Sequence, residues 1–400
     1  MAVVRLAYGR AGLEVDLPPG ADVLEPRRLE GLADEAAAIR RALREPLGCP
    51  PLRELVPPGA AVGVSVCDVT RPFPASRVLP VLLEELDRAR VTVFVATGTH
   101  RACTPDELQR MLGADVLAAV RIVQHDAFDR SRHAPLGTVP GSAAPALVER
   151  AYLEQDVRLT TGFIEPHFFA GFSGGPKMVV PGLAHLDTVL ELHSAARIGD
   201  PRATWGVTAG NPVHDGIRAV AERAGVAFNL DVTLNAEHRI THVFAGEPAR
   251  SHAAGCAFAM ETAMAPVERP YDVVVSTNSG YPLDQNLYQT VKGMSAAAQI
   301  VRPGGTIVMA SECSDGLPEH GRYKDLLRES EGPAAFLERL ARARGAVHAG
   351  GLTSDQLRTA WLEPADDVAG CVAALLGAAG PGARLAVLPQ GPQTIPYVAA

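Results

Sequence analysis

Apolar runs such as Val62–Val66 and Val273–Val275 in this 400-residue sequence are only strand length. None approaches the roughly 20 residues a membrane-spanning helix requires, so no membrane association is expected. The sequence also has no excess of basic residues. Its net charge of -8 argues against nucleic acid as a partner. The six cysteines fall at positions 49, 67, 103, 256, 313 and 371, with no CxxC pair and too scattered for a disulfide framework. The opening MAVVRLAYGRAGLEVDLP has no apolar core of a secretory signal and reads as two short strands around a turn. A reducing, cytoplasmic setting is the expectation. No HExxH or His-x-His pattern occurs, no GxGxxG follows a strand, and the GxSxG string at 171–175 is not read as a nucleophile elbow. Ordinary zinc, serine-hydrolase and nicotinamide dinucleotide sites are therefore poorly supported.

What is present is an ordinary globular composition, 47% hydrophobic and 20% charged, in a chain long enough for two or three domains. The 32 prolines and 38 glycines show no collagen-like period. Strand-like and helix-like runs alternate. Ala61–Cys67 is near-continuously apolar, as a strand buried on both faces must be. Pro74–Arg88 places Val78, Leu79, Val81, Leu82 and Leu86 at helical spacing, and Val91–Ala96 is the next strand. Thr104-Pro105-Asp106-Glu107 has the form of a helix start: a hydroxyl cap, proline at the first position, and glutamate three residues on. Arg121–Gln124 and Arg158–Ile164 repeat the strand signal. From about residue 270 the rhythm restarts with strand Tyr271–Ser276, helix Leu283–Val301, a turn at Pro303-Gly304-Gly305 and strand Thr306–Ala310. Residues 321–380 read as mostly helical, and Leu385–Leu388 as a last strand.

The fold class expected is therefore α/β: two α/β lobes with mainly parallel sheets and an active-site cleft between them. The boundary falls between about residues 255 and 270, giving an N-terminal cofactor-binding domain, 1–265, and a C-terminal domain, 266–400, that completes the substrate site.

Ligands of open α/β sheets bind beyond the carboxyl ends of strands. Five strand ends here deliver chemically active residues: Asp68 to Arg71, Thr99 and His100, His125-Asp126, Glu165 to His167, and Thr277 to Tyr281. Each has a plainer reading. Asp68 could cap a turn, Arg71 could sit in a surface ion pair, and His100 and His167 could be satisfied loop histidines. His193 follows the apolar positions Leu186, Val189 and Leu190, where a histidine is more often core than ligand. Ser173-Gly174-Gly175-Pro176-Lys177 lacks the spacing of a phosphate loop, although its glycine N–H groups could cradle an anion.

Taken together, these motifs resemble the nickel-dependent lactate racemase family. The matching segments are Asp68-Val-Thr-Arg71-Pro72, Thr97-Gly-Thr-His100-Arg101, Pro166 to Lys177 with its continuation through Gly182 to His193-Ser194, and Gly280 to Gly293. Their order is kept from about residue 3 to residue 320, and the segment from His167 to His193 is the most specific. The resemblance implies a racemase or epimerase inverting the alpha carbon of a 2-hydroxy acid by reversible hydride transfer. It implies nickel (Ni) held in a nickel-pincer nucleotide, pyridinium-3-thioamide-5-thiocarboxylic acid mononucleotide. It further implies Lys177 as the covalent tether, His193 as the metal ligand, and His100 and His167 as the catalytic acid and base. Asp68, Thr99, Ser173, Gly174 and Gly175 map to cofactor binding, and Arg71, Tyr288, Gln289 and Lys292 to substrate binding. The implied partners are a small-molecule 2-hydroxy acid and, transiently, the cofactor-synthesis enzymes; the oligomeric state stays open.

The residue types suit that chemistry. Removing a proton from the alpha carbon of a carboxylate builds a dianion. Removing hydride while a base takes the hydroxyl proton leaves a neutral carbonyl. Inversion turns the hydroxyl toward a new direction, so two bases are needed, and histidine suits both at neutral pH. One departure from the family is that Asp355-Gln356 is followed by Leu357, with Trp361 displaced by four, which points to a 2-hydroxy acid larger or more polar than lactate. The competing readings are a metal-assisted hydrolase using His100, His167 and His193, and a non-catalytic carrier of nickel or nucleotide.

Overall fold

The computed structural model describes residues 2–317 and 344–399. The chain forms two compact units, one of residues 28–261 and the other of residues 1–27 together with 262–400.

The unit of residues 28–261 is built on a six-stranded sheet. Across the sheet the strands run Ile240–Gly246, Phe228–Leu234, Val157–Phe163, Ala61–Cys67, Arg90–Ala96 and Arg121–Gln124. All neighbours are parallel except the edge strand Ile240–Gly246, which is antiparallel to Phe228–Leu234. The first three strands in the chain step outward in one direction, and the later ones step the other way. This is a doubly wound sheet, with its reversal between Ala61–Cys67 and Val157–Phe163. Alternation along the strands divides the core into two layers. Val62, Val64, Val66, Val93 and Val95 join Ile39, Leu43, Val78, Leu79 and Leu82 on one face. Phe94 points the other way, to Tyr152, Val180, Leu183, Ile217 and Val220. The predicted helix start is realised: Thr104 and Glu107 form a reciprocal capping box on helix Pro105–Leu112.

The strand Phe228–Leu234 escapes sequence reading because polar residues interrupt it. Asn229 and Asp231 are fully buried, and they are tied by bonds from Thr160 Oγ1 to Asn229 Oδ1 (2.8 Å) and from Asn229 Nδ2 to Asp231 Oδ2 (3.0 Å). Strands His133–Thr138 and Pro145–Glu149 pair as a separate antiparallel hairpin that no strand signal in the sequence marks.

The second unit carries another six-stranded sheet, entirely parallel, in the order Glu363–Pro364, Arg344–His348, Val301–Ala310, Tyr271–Thr277, Leu385–Leu388 and Asp22–Val23. The N-terminal strands Ala2–Leu6 and Leu13–Leu17 form the expected hairpin, but they do not belong with residues 28–261. Their apolar side chains Val4, Leu6, Val15 and Leu17 join the core made by Val273, Val275, Val308 and Val387. The segment expected to link the halves is regular structure instead: helix Pro248–Ala263 runs directly into strand Met264–Val267, which pairs with Ile395–Val398. The helix predicted over Leu283–Val301 spans Leu287–Ala297. It starts late because Asn286 caps it, accepting from Gln289 N–H, while Asp284 is drawn into bonds from the N–H groups of Gly9 and Glu312. Of the stretch read as mostly helical, residues 321–343 lie outside the described residues. The remainder alternates strand and helix: Arg344–His348, Ser354–Thr359, Glu363–Pro364 and Val368–Ala379. Among the described residues no helix is long and apolar enough to cross a membrane.

Candidate active site

A doubly wound sheet leaves a crevice where adjacent strands send their connections to opposite sides. In residues 28–261 that point lies beyond Cys67 and Phe163. Asp68 follows the first of these strands, and Glu165-Pro166-His167 follows the second.

Asp68 is buried, and its Oδ2 lies 2.7 Å from His100 Nδ1. Thr70 bonds the other carboxylate oxygen through its hydroxyl (2.6 Å) and its backbone N–H (3.2 Å). Burial alone would raise the Asp68 pKa, but the His100 bond and charge, the Arg71 guanidinium and Thr70 outweigh it and hold the carboxyl below its ordinary value. His100 arrives on a tight turn. Its N–H donates to Thr97 carbonyl (3.0 Å), and Gly98 N–H donates to Gly182 carbonyl (3.0 Å). With Nδ1 committed to Asp68, Nε2 is the nitrogen left for other chemistry. Thr99 is exposed on the same turn.

The second group forms around Phe169. Pro166–His167 and Gly171–Phe172 pair as a tight antiparallel hairpin. His167 Nε2 lies 3.3 Å from Lys177 Nζ, and its Nδ1 accepts from Ala170 N–H at 3.3 Å. The Phe169 ring meets His167 edge-on at 4.6 Å and His193 at 5.0 Å, and Lys177 Nζ stands 5.7 Å from its centre. One aromatic side chain thus gathers Lys177, His167 and His193. The segment after Lys177 anchors to the central strand, with Ser65 Oγ donating to Met178 carbonyl at 2.7 Å.

His193 follows a helix whose Val189 and Leu192 are buried in the core. It terminates helix Leu186–Leu192, and Leu190 on the expected apolar face is 59% exposed. His193 Nδ1–H donates to Val189 carbonyl at 2.7 Å, which leaves Nε2 as a bare acceptor. Burial, partly offset by that bond and reinforced by the Lys177 charge, pushes its pKa down to about 4. A neutral imidazole with its outer nitrogen pinned to a carbonyl is the form in which histidine binds metals.

Much of the glycine-rich segment is tied into the surrounding structure. Ser173 Oγ donates to Phe163 carbonyl (2.8 Å) and accepts from Glu165 N–H (2.9 Å). Gly175 N–H donates to Asp231 Oδ2 at 2.9 Å. Gly175 also has a φ of +47°, and a Cβ there would stand 2.5 Å from the His252 ring. Gly174 packs against Asp231 and Ile164. A cavity of about 880 Å³ borders this segment through Gly175 and Pro176, lined also by His214, His252 and Cys256. It touches none of Asp68, His100, His167, Lys177 or His193. Arg71 is half-buried beside Asp68.

Tyr288, Gln289 and Lys292 lie on helix Leu287–Ala297 of the other unit, away from its buried positions Leu287, Thr290, Gly293 and Met294. Leu357 is buried with Met294, Met309 and Val347, and Gln356 caps its own helix through Thr353, so the substituted position is a packing site. Sequence reading missed Thr70 and Phe169. The Thr at the second residue after Asp68 was the available signal for the first, and nothing in sequence marked the second.

These features define a doubly wound α/β enzyme with histidines, a lysine and a carboxylate at the reversal point of one sheet. The chain belongs to the lactate racemase family, a family of isomerases. The lactate racemase N-terminal domain matches residues 8–206, and the lactate racemase C-terminal domain matches residues 267–349. A lactate racemase of Thermoanaerobacterium thermosaccharolyticum is 35% identical over 355 residues, spanning 85% of this chain and 81% of that protein. One from Lactiplantibacillus plantarum is 37% identical over 308 residues, spanning 76% of this chain and 72% of that protein. The structure of the lactate racemase apoprotein from T. thermosaccharolyticum aligns with a TM-score of 0.92 at 30% identity, covering 99% of this chain and 100% of that one. A Thermotoga maritima protein shares the fold, with a TM-score of 0.72 at 19% identity, covering 93% of this chain and 100% of that one.

Proposed function

We propose that this chain racemises a 2-hydroxy acid by reversible hydride transfer, using a nickel-pincer nucleotide tethered to Lys177. Its relatives are named lactate racemases, so lactate is the first substrate to assay, followed by larger and more polar analogues. The observation that carries the reading is the state of His193. Its Nδ1–H is pinned to Val189 at 2.7 Å, its Nε2 is bare, and the Lys177 charge is close enough to help lower its pKa. A soft metal complex on a lysine tether fits such a neighbour, with His193 as nickel ligand and Lys177 as the covalent anchor. When bound, the cofactor would supply a reversible acceptor for hydride.

The chain's own residues supply the proton chemistry. Asp68 holds His100 by Nδ1, so Nε2 takes the proton from the hydroxyl of one enantiomer as hydride leaves its alpha carbon. The product of that half-reaction is a 2-keto acid, with a neutral carbonyl and its carboxylate unchanged. On return, hydride enters the opposite face and His167 gives the hydroxyl proton, producing the other enantiomer; the reverse direction exchanges the two roles. Arg71 supplies a forked donor for the substrate carboxylate, and Tyr288, Gln289 and Lys292 are further candidate substrate contacts. Asp68 and Thr99 remain assigned to the cofactor. Ser173, Gly174 and Gly175 serve it by holding the Lys177 loop in place.

The test is intact mass spectrometry of protein produced together with the cofactor-synthesis enzymes. The expected result is a mass increment of the nucleotide on wild type, mapped to Lys177 and absent from Lys177→Ala. An increment that survives in Lys177→Ala, or none on wild type while racemisation proceeds, would overturn the tether.

A further inference from the structure

A second convergence of ligand-type side chains lies outside the candidate active site. His125 follows the edge strand Arg121–Gln124, His133 opens strand His133–Thr138, and Glu149 closes strand Pro145–Glu149. His133 and Glu149 are direct register partners in that hairpin. All three are buried, at 2%, 3% and 2% exposure, and their ligating atoms lie within 4.8 Å of one another.

The protonation of both rings follows from their outer hydrogen bonds. Thr97 Oγ1 gives its hydrogen to the His125 carbonyl at 2.9 Å, so at 3.2 Å it can only accept from His125 Nδ1–H. His133 Nδ1–H donates to Asp129 carbonyl at 2.9 Å. Each neutral ring therefore presents a bare Nε2, and the two Nε2 atoms face each other at 3.0 Å with no proton to share. That contact is repulsive unless a cation stands beside both lone pairs. Glu149 Oε2 is buried in the same place without an aligned hydrogen-bond donor. Its charge partner is Arg132, whose Nη2 stands 2.9 Å from it and also donates to Gln124 carbonyl at 2.9 Å.

The Gly98 backbone also bonds the His125 ring, and two further side chains face this point. Asp129 turns its carboxylate to Ser131. His185 lies edge-on to His133 at 5.2 Å, with Nδ1 accepting from Asp187 N–H, so its own proton sits on Nε2.

We propose that His125 Nε2, His133 Nε2 and Glu149 form a buried site for a divalent metal ion of the zinc class, structural in role and separate from the candidate active site. Two imidazoles and one carboxylate are a ligand set such ions accept, with a fourth position left for water. A tetrahedral ion bonded at about 2.05 Å needs its two nitrogens roughly 3.3 Å apart, so this pair stands within a few tenths of an ångström of readiness. Both rings already carry the outer-shell bonds that orient metal-binding histidines. The ion would brace the scaffold behind the active site. Thr97, bonded to His125, starts the turn that delivers His100. Glu149 N–H donates to Leu183 carbonyl at 2.8 Å, on the segment that runs from Lys177 to the helix ending at His193.

The experiment uses full-length protein made without the cofactor-synthesis enzymes, stripped with a chelator and dialysed against zinc chloride. Metal content by plasma mass spectrometry should return to one zinc per chain, and zinc should raise the melting temperature. His193→Ala should keep that zinc, whereas His133→Gln should lose it together with the thermal shift. Thr97→Val, which frees the His125 tautomer, should weaken zinc about 10–100-fold without abolishing it. If His133→Gln does not fold, Glu149→Gln and X-ray absorption of the wild-type zinc protein decide the ligands. The proposal is overturned by wild type that takes up no zinc, by zinc that survives in His133→Gln or leaves with His193→Ala, or by an absorption spectrum without two imidazoles. A strongly deshielded proton shared by the two rings in zinc-dialysed wild type would equally overturn it.

Discussion

Asp68→Asn separates the catalytic reading of the Asp68–His100 pair from a structural one. The substitution keeps the shape and an oxygen able to accept from His100 Nδ1–H at the present 2.7 Å, but removes the charge. A positioned base is worth about 10²–10⁴ in rate, and the carboxylate sets both the tautomer of this base and the stability of its protonated form. A loss of that size in kcat/KM corresponds to about 3–5 kcal/mol of barrier. Stability should respond less. A hydrogen bond to a charged group contributes about 1.5–3 kcal/mol, but the buried carboxylate also carries a desolvation cost that asparagine removes, so the net loss should stay under about 2 kcal/mol. The pH sign is definite. The folded pKa of Asp68 is lowered, so its stabilising contribution is present above the unfolded value near 3.9 and is lost as pH falls through the folded value. The assay is the initial rate of racemisation of each lactate enantiomer by cofactor-loaded enzyme, read by circular dichroism, beside urea unfolding of the same preparations. A variant that keeps more than about a tenth of wild-type kcat/KM while losing several kcal/mol of stability would refute the reasoning and leave Asp68 as a turn anchor.

Two further outcomes follow from the geometry. Gly293→Ala should cost about 1–3 kcal/mol, because a Cβ there would stand 2.0 Å from Thr277 carbonyl and 2.4 Å from Met309. It should also raise KM by shifting the helix that carries Tyr288, Gln289 and Lys292, and an unchanged melting temperature would contradict the close packing. Glu107→Gln keeps the capping box but removes the charge that Arg101, Thr104 and their neighbours stabilise, holding Glu107 down at about 2. The stability gap between wild type and this variant in urea should therefore be fully open above about pH 4.3 and narrow as pH falls toward 2; a constant gap from pH 5 to 3 would contradict the ion pair.

The elements that sequence determined are those whose physics is local. Ala61–Cys67 and Tyr271–Thr277 carry dense valine (Val62, Val64 and Val66 in the first, Val273, Val274 and Val275 in the second) because both faces of a parallel strand are covered, and that pattern needs no neighbour to be recognised. The capping box at Thr104 is likewise complete within four residues. The strand ends that carry Asp68, His100 and His167 were legible for the same reason, since the residues after a buried strand lie at its rim whatever the order of strands. Tertiary structure alone decided the rest. Which strand ends meet depends on the reversal between Ala61–Cys67 and Val157–Phe163, a consequence of pairing across many residues. Asn229 and Asp231 disguise a central strand, because only the buried partners Thr160 and Gly175 make such polarity tolerable there. The N-terminal hairpin sides with the distant strands of the second sheet because their apolar faces cover its own. His193 read as core by its spacing, yet its helix stops at that residue, and a single bond to Val189 carbonyl determines which nitrogen is bare. The same holds for His125, His133 and Glu149. No spacing motif joins them, and they meet because hairpin register sets His133 opposite Glu149 while the edge strand ends beside both.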